Sequence, residues 1–144
     1  LKALTDRPGL AGKLILTGQR QDVEAVLAAL DLFVCSSRWE GLSTVLMEAM
    51  AAGVPIVATD IPGNRELLRD GENAWLVRVE SPEALAAGII TARQKPEMGR
   101  ALARQAKLDV LAFSIEAVAA RHERLYLDLF APKIHKQSGG EPAR

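Results

Sequence analysis

The chain has 144 residues, of which 49% are hydrophobic and 25% charged, enough for one domain with a core of its own. Eighteen basic residues balance eighteen acidic ones, which excludes the strong global field of a nucleic-acid or anionic-membrane binder. One cysteine, Cys35, excludes an internal disulfide, fits a reducing compartment, and no apolar run reaches the length of a membrane span.

Residues 1–7 read as the tail of a helix stopped by Pro8-Gly9. Residues 13–17 read as a buried strand ending at Gly18. Asp22 is placed to cap a helix over 23–30, with Val23, Leu27 and Leu30 on one side. The apolar run 32–35 has the length of a buried strand, and Cys35 within it is expected to be a buried, inert thiol. A polar turn covers 36–41, and a helix starts with Ser43 as its N-cap. Val45, Leu46, Ala49 and Met50 form its sheet-facing side, while Thr44 and Glu48 lie one turn apart on a neighbouring face.

Gly53 ends that helix and Pro55 opens a strand over 56–59. A loop with strong turn chemistry follows at 60–64, then a short helix over 65–69, a turn at 70–73 and a strand over 74–79. Trp75 is expected to serve packing. Ser81-Pro82-Glu83 supplies a cap, a proline at the first helical position and an acid in the first turn. That helix runs to 94 and stops before Pro96. A charged, exposed helix is expected over 97–107. Ser114 caps the last helix, where Ile115, Val118, His122, Leu125 and Leu129 form a narrow apolar seam. His122 reads as a packing or interface residue on this seam. From residue 132 on, Lys, Gln, Ser and Gly dominate, and disorder is expected, so the domain is placed at 1–131 with a tail at 132–144.

Strands alternating with helices predict an α/β fold with a Rossmann-like parallel sheet flanked by helices. In such sheets ligands bind at the carboxyl ends of strands. Glu40, the helix start at Ser43 and the Gly63 loop all follow strand carboxyl ends and converge on one crevice. Free N–H groups at the helix start favour an anion, most commonly a phosphate. Glu48, one turn further, can accept hydrogen bonds from sugar hydroxyls, and Gly41 lets another group approach the backbone. Each acid also has a plainer reading. Glu40 can be a surface acid paired with Arg38, Glu48 a solvated helix residue paired with Lys or Arg, and structural ion pairs of this kind are common. No CxxC, HExxH, Walker loop, GxGxxG or GxSxG occurs, so metal, NAD and hydrolase chemistry lack motif support.

Glu40 and Glu48 enclose seven residues, and their surroundings resemble the E-x7-E region of retaining glycosyltransferases of family 4, which have the GT-B fold. The resemblance is carried by Ser37, Glu40-Gly41, Glu48-Ala49-Met50-Ala51, Gly53, Pro55-Ile56-Val57-Ala58-Thr59, Gly63-Asn64-Arg65-Glu66-Leu67, Asp70-Gly71-Glu72-Asn73 and Leu125-Tyr126. It extends over roughly residues 10 to 130. It implies the C-terminal, donor-binding half of such an enzyme, with a nucleotide diphosphate-sugar as donor substrate, no metal and no other cofactor. Glu48 would bind the ribose hydroxyls, and Glu40 would act as the catalytic-site acid that contacts and orients the donor sugar. Backbone amides of Leu42, Ser43 and Thr44 would hold the diphosphate beside Gly41 and Gly63. Gln19-Arg20 would reach the base, although Arg20 also reads as a solvated turn residue. Pro62-Gly63 stands where related sequences often have paired glycines, a departure that bears on the backbone beside the donor sugar.

The resemblance also implies that the first two strand–helix units of the donor half, and the acceptor-binding N-terminal domain, are missing. In the family's sheet order those strands lie between the 13–17 strand and the 32–35 strand. An unpaired edge there invites self-association. The expectation is therefore a partial enzyme, inactive alone, whose sugar or lipid/glycan acceptor is bound by the absent domain. A cytoplasmic protein is implied, peripheral at the membrane only through that domain, with no nucleic-acid partner. The competing readings are a nucleotide-sugar binding module without transfer and a GT-B nucleotide-sugar 2-epimerase.

Overall fold

A computed structural model describes residues 5, 7, 9, 10 and 12–130 of the chain. In order it contains α1 (Val23–Ala28), β1 (Phe33–Cys35), α2 (Thr44–Ala52), β2 (Ile56–Thr59), α3 (Pro62–Arg65), β3 (Trp75–Val77), α4 (Pro82–Gln94), α5 (Pro96–Asp109), a 3₁₀ turn (Val110–Phe113) and α6 (Ile115–Phe130). The three strands form a parallel sheet in the order β1-β2-β3. Phe33 lies opposite Ile56, and Val57 opposite Trp75.

The central strand explains the layers. All four residues of β2 are buried, as a parallel strand covered on both faces requires. Ile56 and Ala58 point into one core with Leu46, Ala49 and Met50 of α2, Cys35 of β1 and Ala106 of α5. Val57 points the other way, into a second cluster with Trp75, Ala92 of α4 and Leu102 of α5. Cys35 and Trp75 are thus core residues, as their sequence settings suggested. Gly53, at φ 73°, closes α2 in the left-handed conformation. Ser81 Oγ accepts from the Ala84 amide at 3.2 Å, and Ser114 Oγ from the Ala117 amide at 3.1 Å. Both caps fall where the sequence placed them.

Several expectations need correction. Residues 14–17 form no strand, and Leu14, Ile15 and Leu16 are exposed. A strand needs a hydrogen-bonded neighbour, and among the described residues β1 pairs only with β2. Asp22 sits at the α1 N-cap, but its side chain makes no capping bond because Arg20 holds the carboxylate, with Nε to Oδ1 at 2.8 Å. α1 ends at Ala28 and buries only Leu27. The helix after β2 occupies Pro62–Arg65 rather than 65–69, because proline suits the first turn of a helix. β3 is shorter than 74–79. α5 is not an exposed helix: Gly99, Leu102, Ala103 and Ala106 are buried at three- and four-residue spacing. The seam on α6 is present in sequence but buries nothing, and Ile115, Leu125 and Leu129 are exposed. The main neighbour of α6 is the 3₁₀ turn. His122 accordingly packs into no core; its Nδ1 lies 2.9 Å from the Val118 carbonyl and its ring faces Tyr126. The helix over 1–7 lies largely outside the described residues, and the tail at 132–144 wholly so.

A polar knot ties the turn before β3 to the end of α5. Asn73 is fully buried; its Nδ2 donates to the Leu67 carbonyl at 3.1 Å and to Asp109 Oδ2 at 2.7 Å. Arg69 Nη2 donates to the same oxygen at 2.6 Å, and Gln105 Nε2 to Oδ1 at 2.8 Å. Burial pushes the Asp109 carboxyl up, but the hydrogen bonds from Gln105 and Asn73, with the charge of Arg69, outweigh it and hold the carboxyl below its ordinary range. A carboxyl depressed in the folded state stabilises the fold above its unfolded pKa, and that contribution is lost as pH falls through the folded pKa. Asp109→Asn should therefore cost about 1 kcal/mol at neutral pH. In denaturant titrations over a pH series, the gap from the parent chain should close as pH drops below the ordinary aspartate range.

Candidate functional site

The carboxyl ends of β1 and β2 carry the residues of interest. β1 ends at Cys35, and the loop over 36–41 leads to Glu40, which is half-buried. Ser37 Oγ donates to Glu40 Oε1 at 2.9 Å. Arg38 does not pair with Glu40; its Nη2 is bound to Glu80 Oε1. The plainer reading of Glu40 as the partner of Arg38 is therefore not what the fold contains.

β2 ends at Thr59, and α3 follows at once. Gly63, in α3, is buried against the peptide that joins Glu40 to Gly41. A Cβ on Gly63 would lie 2.1 Å from the Gly41 carbonyl oxygen and 2.3 Å from that of Glu40. Only a residue without a side chain fits such an approach. Glu40, Gly41 and Gly63 are thus brought together by backbone packing. The feature expected as an open loop at 60–64 is a helical turn, whose start is braced by a fork from Arg65 to Asp60, Nε to Oδ1 at 2.5 Å and Nη2 to Oδ2 at 2.7 Å. That hydrogen-bonded guanidinium holds the Asp60 carboxyl below its usual range.

α2 begins beside this loop. Ser43 is its N-cap in extended conformation, is buried, and makes no side-chain capping bond. The first-turn amides of an α-helix have no partner within the helix, and here Gly41, Leu42 and Thr44 around them are exposed. Glu48 is exposed one turn on from Thr44 and has no ion-pair partner among the described residues, against the plainer reading of a paired surface acid. Arg20 lies before α1, forks onto Asp22, and among the described residues forms no hydrogen bond or ion pair with the other candidate residues.

Three residues of the site were not singled out for function from sequence. Thr59 Oγ1 donates to the Ser37 carbonyl at 2.5 Å, and Asn64 Nδ2 donates to the Thr59 carbonyl at 2.8 Å. Asn64 is fully buried, and its Oδ1 has no hydrogen-bond partner among the described residues. The usable signal was a polar residue at the end of each apolar strand, at Ser37 and Thr59. A shallow hollow lined by Ser36, Arg38, Thr59, Arg78 and Ser81 adjoins the same strand ends. Another, lined by Asp31, Pro55, Arg93 and Arg100, is a separate hollow beside the amino ends of β1 and β2, between α4 and α5. Among the described residues, no three His, Cys, Asp or Glu side chains gather as metal ligands, and no helix is long and apolar enough to cross a membrane.

Residues 1–95 match the family described as Glycosyl transferases group 1. The chain is 33% identical over 132 residues to the lipopolysaccharide core biosynthesis mannosyltransferase LpsB of Rhizobium meliloti, covering 87% of this chain and 38% of that protein. Among solved structures, sucrose-phosphate synthase from Thermosynechococcus elongatus is similar with a TM-score of 0.81 at 28% identity, over 90% of this chain and 33% of that one. Anabaena HepE in complex with UDP is similar with a TM-score of 0.77 at 26% identity, over 89% of this chain and 35% of that one. The chain spans about a third of the length of each of these relatives.

Proposed function

The chain belongs to the glycosyl transferases group 1 family, and from that premise we propose that it is the donor-binding portion of a GT-B glycosyltransferase. The reaction is transfer of a sugar from a nucleotide diphosphate-sugar to an acceptor, of the family 4 type, with retention at the anomeric carbon. The single observation that carries this reading is the convergence of Glu40, Gly41 and Gly63 beside the uncapped start of α2. The UDP complex of HepE, a relative of the same fold, supports it.

In this reading the amides of Leu42, Ser43 and Thr44 receive the diphosphate, where the helix start favours negative charge. The same amides stabilise the charge that develops on the leaving diphosphate, a contribution made in the transition state. No metal is assigned a role; amides do the neutralising. Glu48 accepts hydrogen bonds from the ribose hydroxyls. Glu40 contacts the donor sugar and orients it, and Gly41 and Gly63 keep that wall of the site thin. Arg20 is assigned to the base, which requires it to exchange Asp22 for the nucleotide. The acceptor, a sugar or a lipid-linked glycan, is assigned to the N-terminal half of such enzymes, and transfer is assigned to the two halves together. The open edge of β1 and the exposed 14–16 segment are assigned to pairing with further strands, or with a second copy when none is present.

Calorimetric titration of the chain with UDP and with GDP tests the reading. One of the two nucleotides is expected to bind at a single site. Binding of neither by a chain that melts cooperatively would contradict it.

A further inference from the structure

We infer that Ser37 is a positioning residue for the Glu40 carboxylate, held in place by a brace from Thr59 and Asn64. The inference rests on the donor-site reading above and assigns that site a residue of its own.

The geometry leaves the Ser37 hydroxyl one task. A serine hydroxyl has one proton to give and two lone pairs to receive with. Its proton goes to Glu40 Oε1 at 2.9 Å, and the Cys35 thiol, 3.5 Å away, lies on its accepting side. The acceptor is a carboxylate, which makes this the stronger, charge-assisted kind of hydrogen bond. Among the described residues no cation pairs with Glu40, and Arg38 is bound to Glu80. Ser37 is the one side chain among the described residues that fixes Glu40, and it holds one carboxylate oxygen while leaving Oε2 free to accept from a sugar hydroxyl.

The Ser37 backbone is itself fixed from the neighbouring strand. Thr59 is buried at the end of β2, and its hydroxyl donates to the Ser37 carbonyl at 2.5 Å. The Asn64 amide orients Thr59 in turn, with Nδ2 2.8 Å from the Thr59 carbonyl and 3.5 Å from its hydroxyl. The carbonyl fixes which end of the Asn64 amide faces Thr59, since only the NH₂ end can donate to it. Gly63 packs under the Glu40–Gly41 peptide from the same turn. Glu40 is thus set by its backbone from below and by Ser37 at its tip. An acid that orients a sugar needs this, because a group placed loosely gives up the benefit of prepaid positioning.

The test compares nucleotide with nucleotide-sugar. The wild-type chain, Ser37→Ala and Ser37→Thr are titrated calorimetrically with UDP, UDP-glucose and UDP-N-acetylglucosamine, and with GDP and GDP-mannose. The nucleotide pair with the largest wild-type gain from the sugar is then used for all three chains. Ser37→Ala is expected to leave affinity for the bare nucleotide within twofold. It should cut the extra affinity contributed by the sugar by about three- to tenfold, the size of one hydrogen bond. Ser37→Thr, which keeps the hydroxyl, should restore most of that gain. Equal losses for nucleotide and nucleotide-sugar would indicate a general structural role and overturn the inference, as would no change in Ser37→Ala or no rescue by threonine. A wild-type chain that binds nucleotides but gains nothing from any sugar would also overturn it while leaving the nucleotide site intact. Binding of nothing at all would instead overturn the donor-site reading on which it rests.

Discussion

Gly63→Ala is expected to remove measurable nucleotide-sugar binding and to lower the stability of the chain by about 1–3 kcal/mol. The added methyl carbon would meet the Gly41 carbonyl oxygen at 2.1 Å, the Glu40 oxygen at 2.3 Å and the Glu40 carbonyl carbon at 2.8 Å. These are backbone atoms, so no side-chain rotation relieves the overlap. Either α3 moves away from the loop over 36–41, or that loop moves outward and carries Glu40 with it. The first route breaks the Asn64–Thr59 brace, and the second pulls Glu40 away from Ser37. Both routes separate groups that the proposed site needs together, so binding should fall further than stability. Chemical denaturation gives the stability, and calorimetry with the nucleotide-sugar gives the binding. An alanine variant with unchanged affinity would place the donor elsewhere.

Glu48→Ala should weaken binding of the nucleotide by about 1.5–3 kcal/mol, the loss of hydrogen bonds to a charged acceptor. That is about a 10- to 150-fold rise in Kd. The side chain is exposed and unpaired among the described residues, so nothing in the fold depends on it. The thermal midpoint of the variant should match that of the parent chain within experimental error. This separation is what makes the substitution informative, because a binding loss in Glu48→Ala cannot be assigned to unfolding. Glu48→Gln, which keeps one accepting oxygen but no charge, should fall between the two. Unaltered affinity in Glu48→Ala would remove the ribose assignment while leaving the helix start as a phosphate site.

Much of the fold was legible because several local signals agreed. The run over 32–35, the run over 56–59 that forms β2 and the Ser81-Pro82-Glu83 start each match an element of the structure. The failures share one cause. A period or an apolar run specifies a surface that could be buried, whereas burial itself depends on a neighbour elsewhere in the chain. Among the described residues, 14–17 have a strand's composition without a strand beside them, and the α6 seam has a helix's periodicity without a partner face. α5 errs in the opposite direction: its small residues Gly99, Ala103 and Ala106 gave little hydrophobic signal, yet they are buried where the helix packs on α2 and, at Gly99, against Trp75 of β3.

Within the candidate site, Glu40, Gly41, Ser43 and Gly63 were legible because their types suit strand ends and helix starts. Their contacts were not, since the approach of Gly63 to the Glu40 peptide joins residues far apart in sequence. Ser37 and Thr59 went unnoticed as functional residues because a serine or threonine after an apolar run is also an ordinary strand ending. Only the folded distances separate the two cases.

A nucleoside diphosphate is assigned to the start of α2. This assignment is tested most directly by amide NMR of the isotope-labelled chain during titration with UDP and then GDP. The largest amide shifts are expected on Leu42, Ser43, Thr44 and Gly63, saturating with one nucleotide per chain. Shifts confined to the hollow around Asp31, Arg93 and Arg100, or an unchanged spectrum from a folded chain at saturating nucleotide, would contradict it.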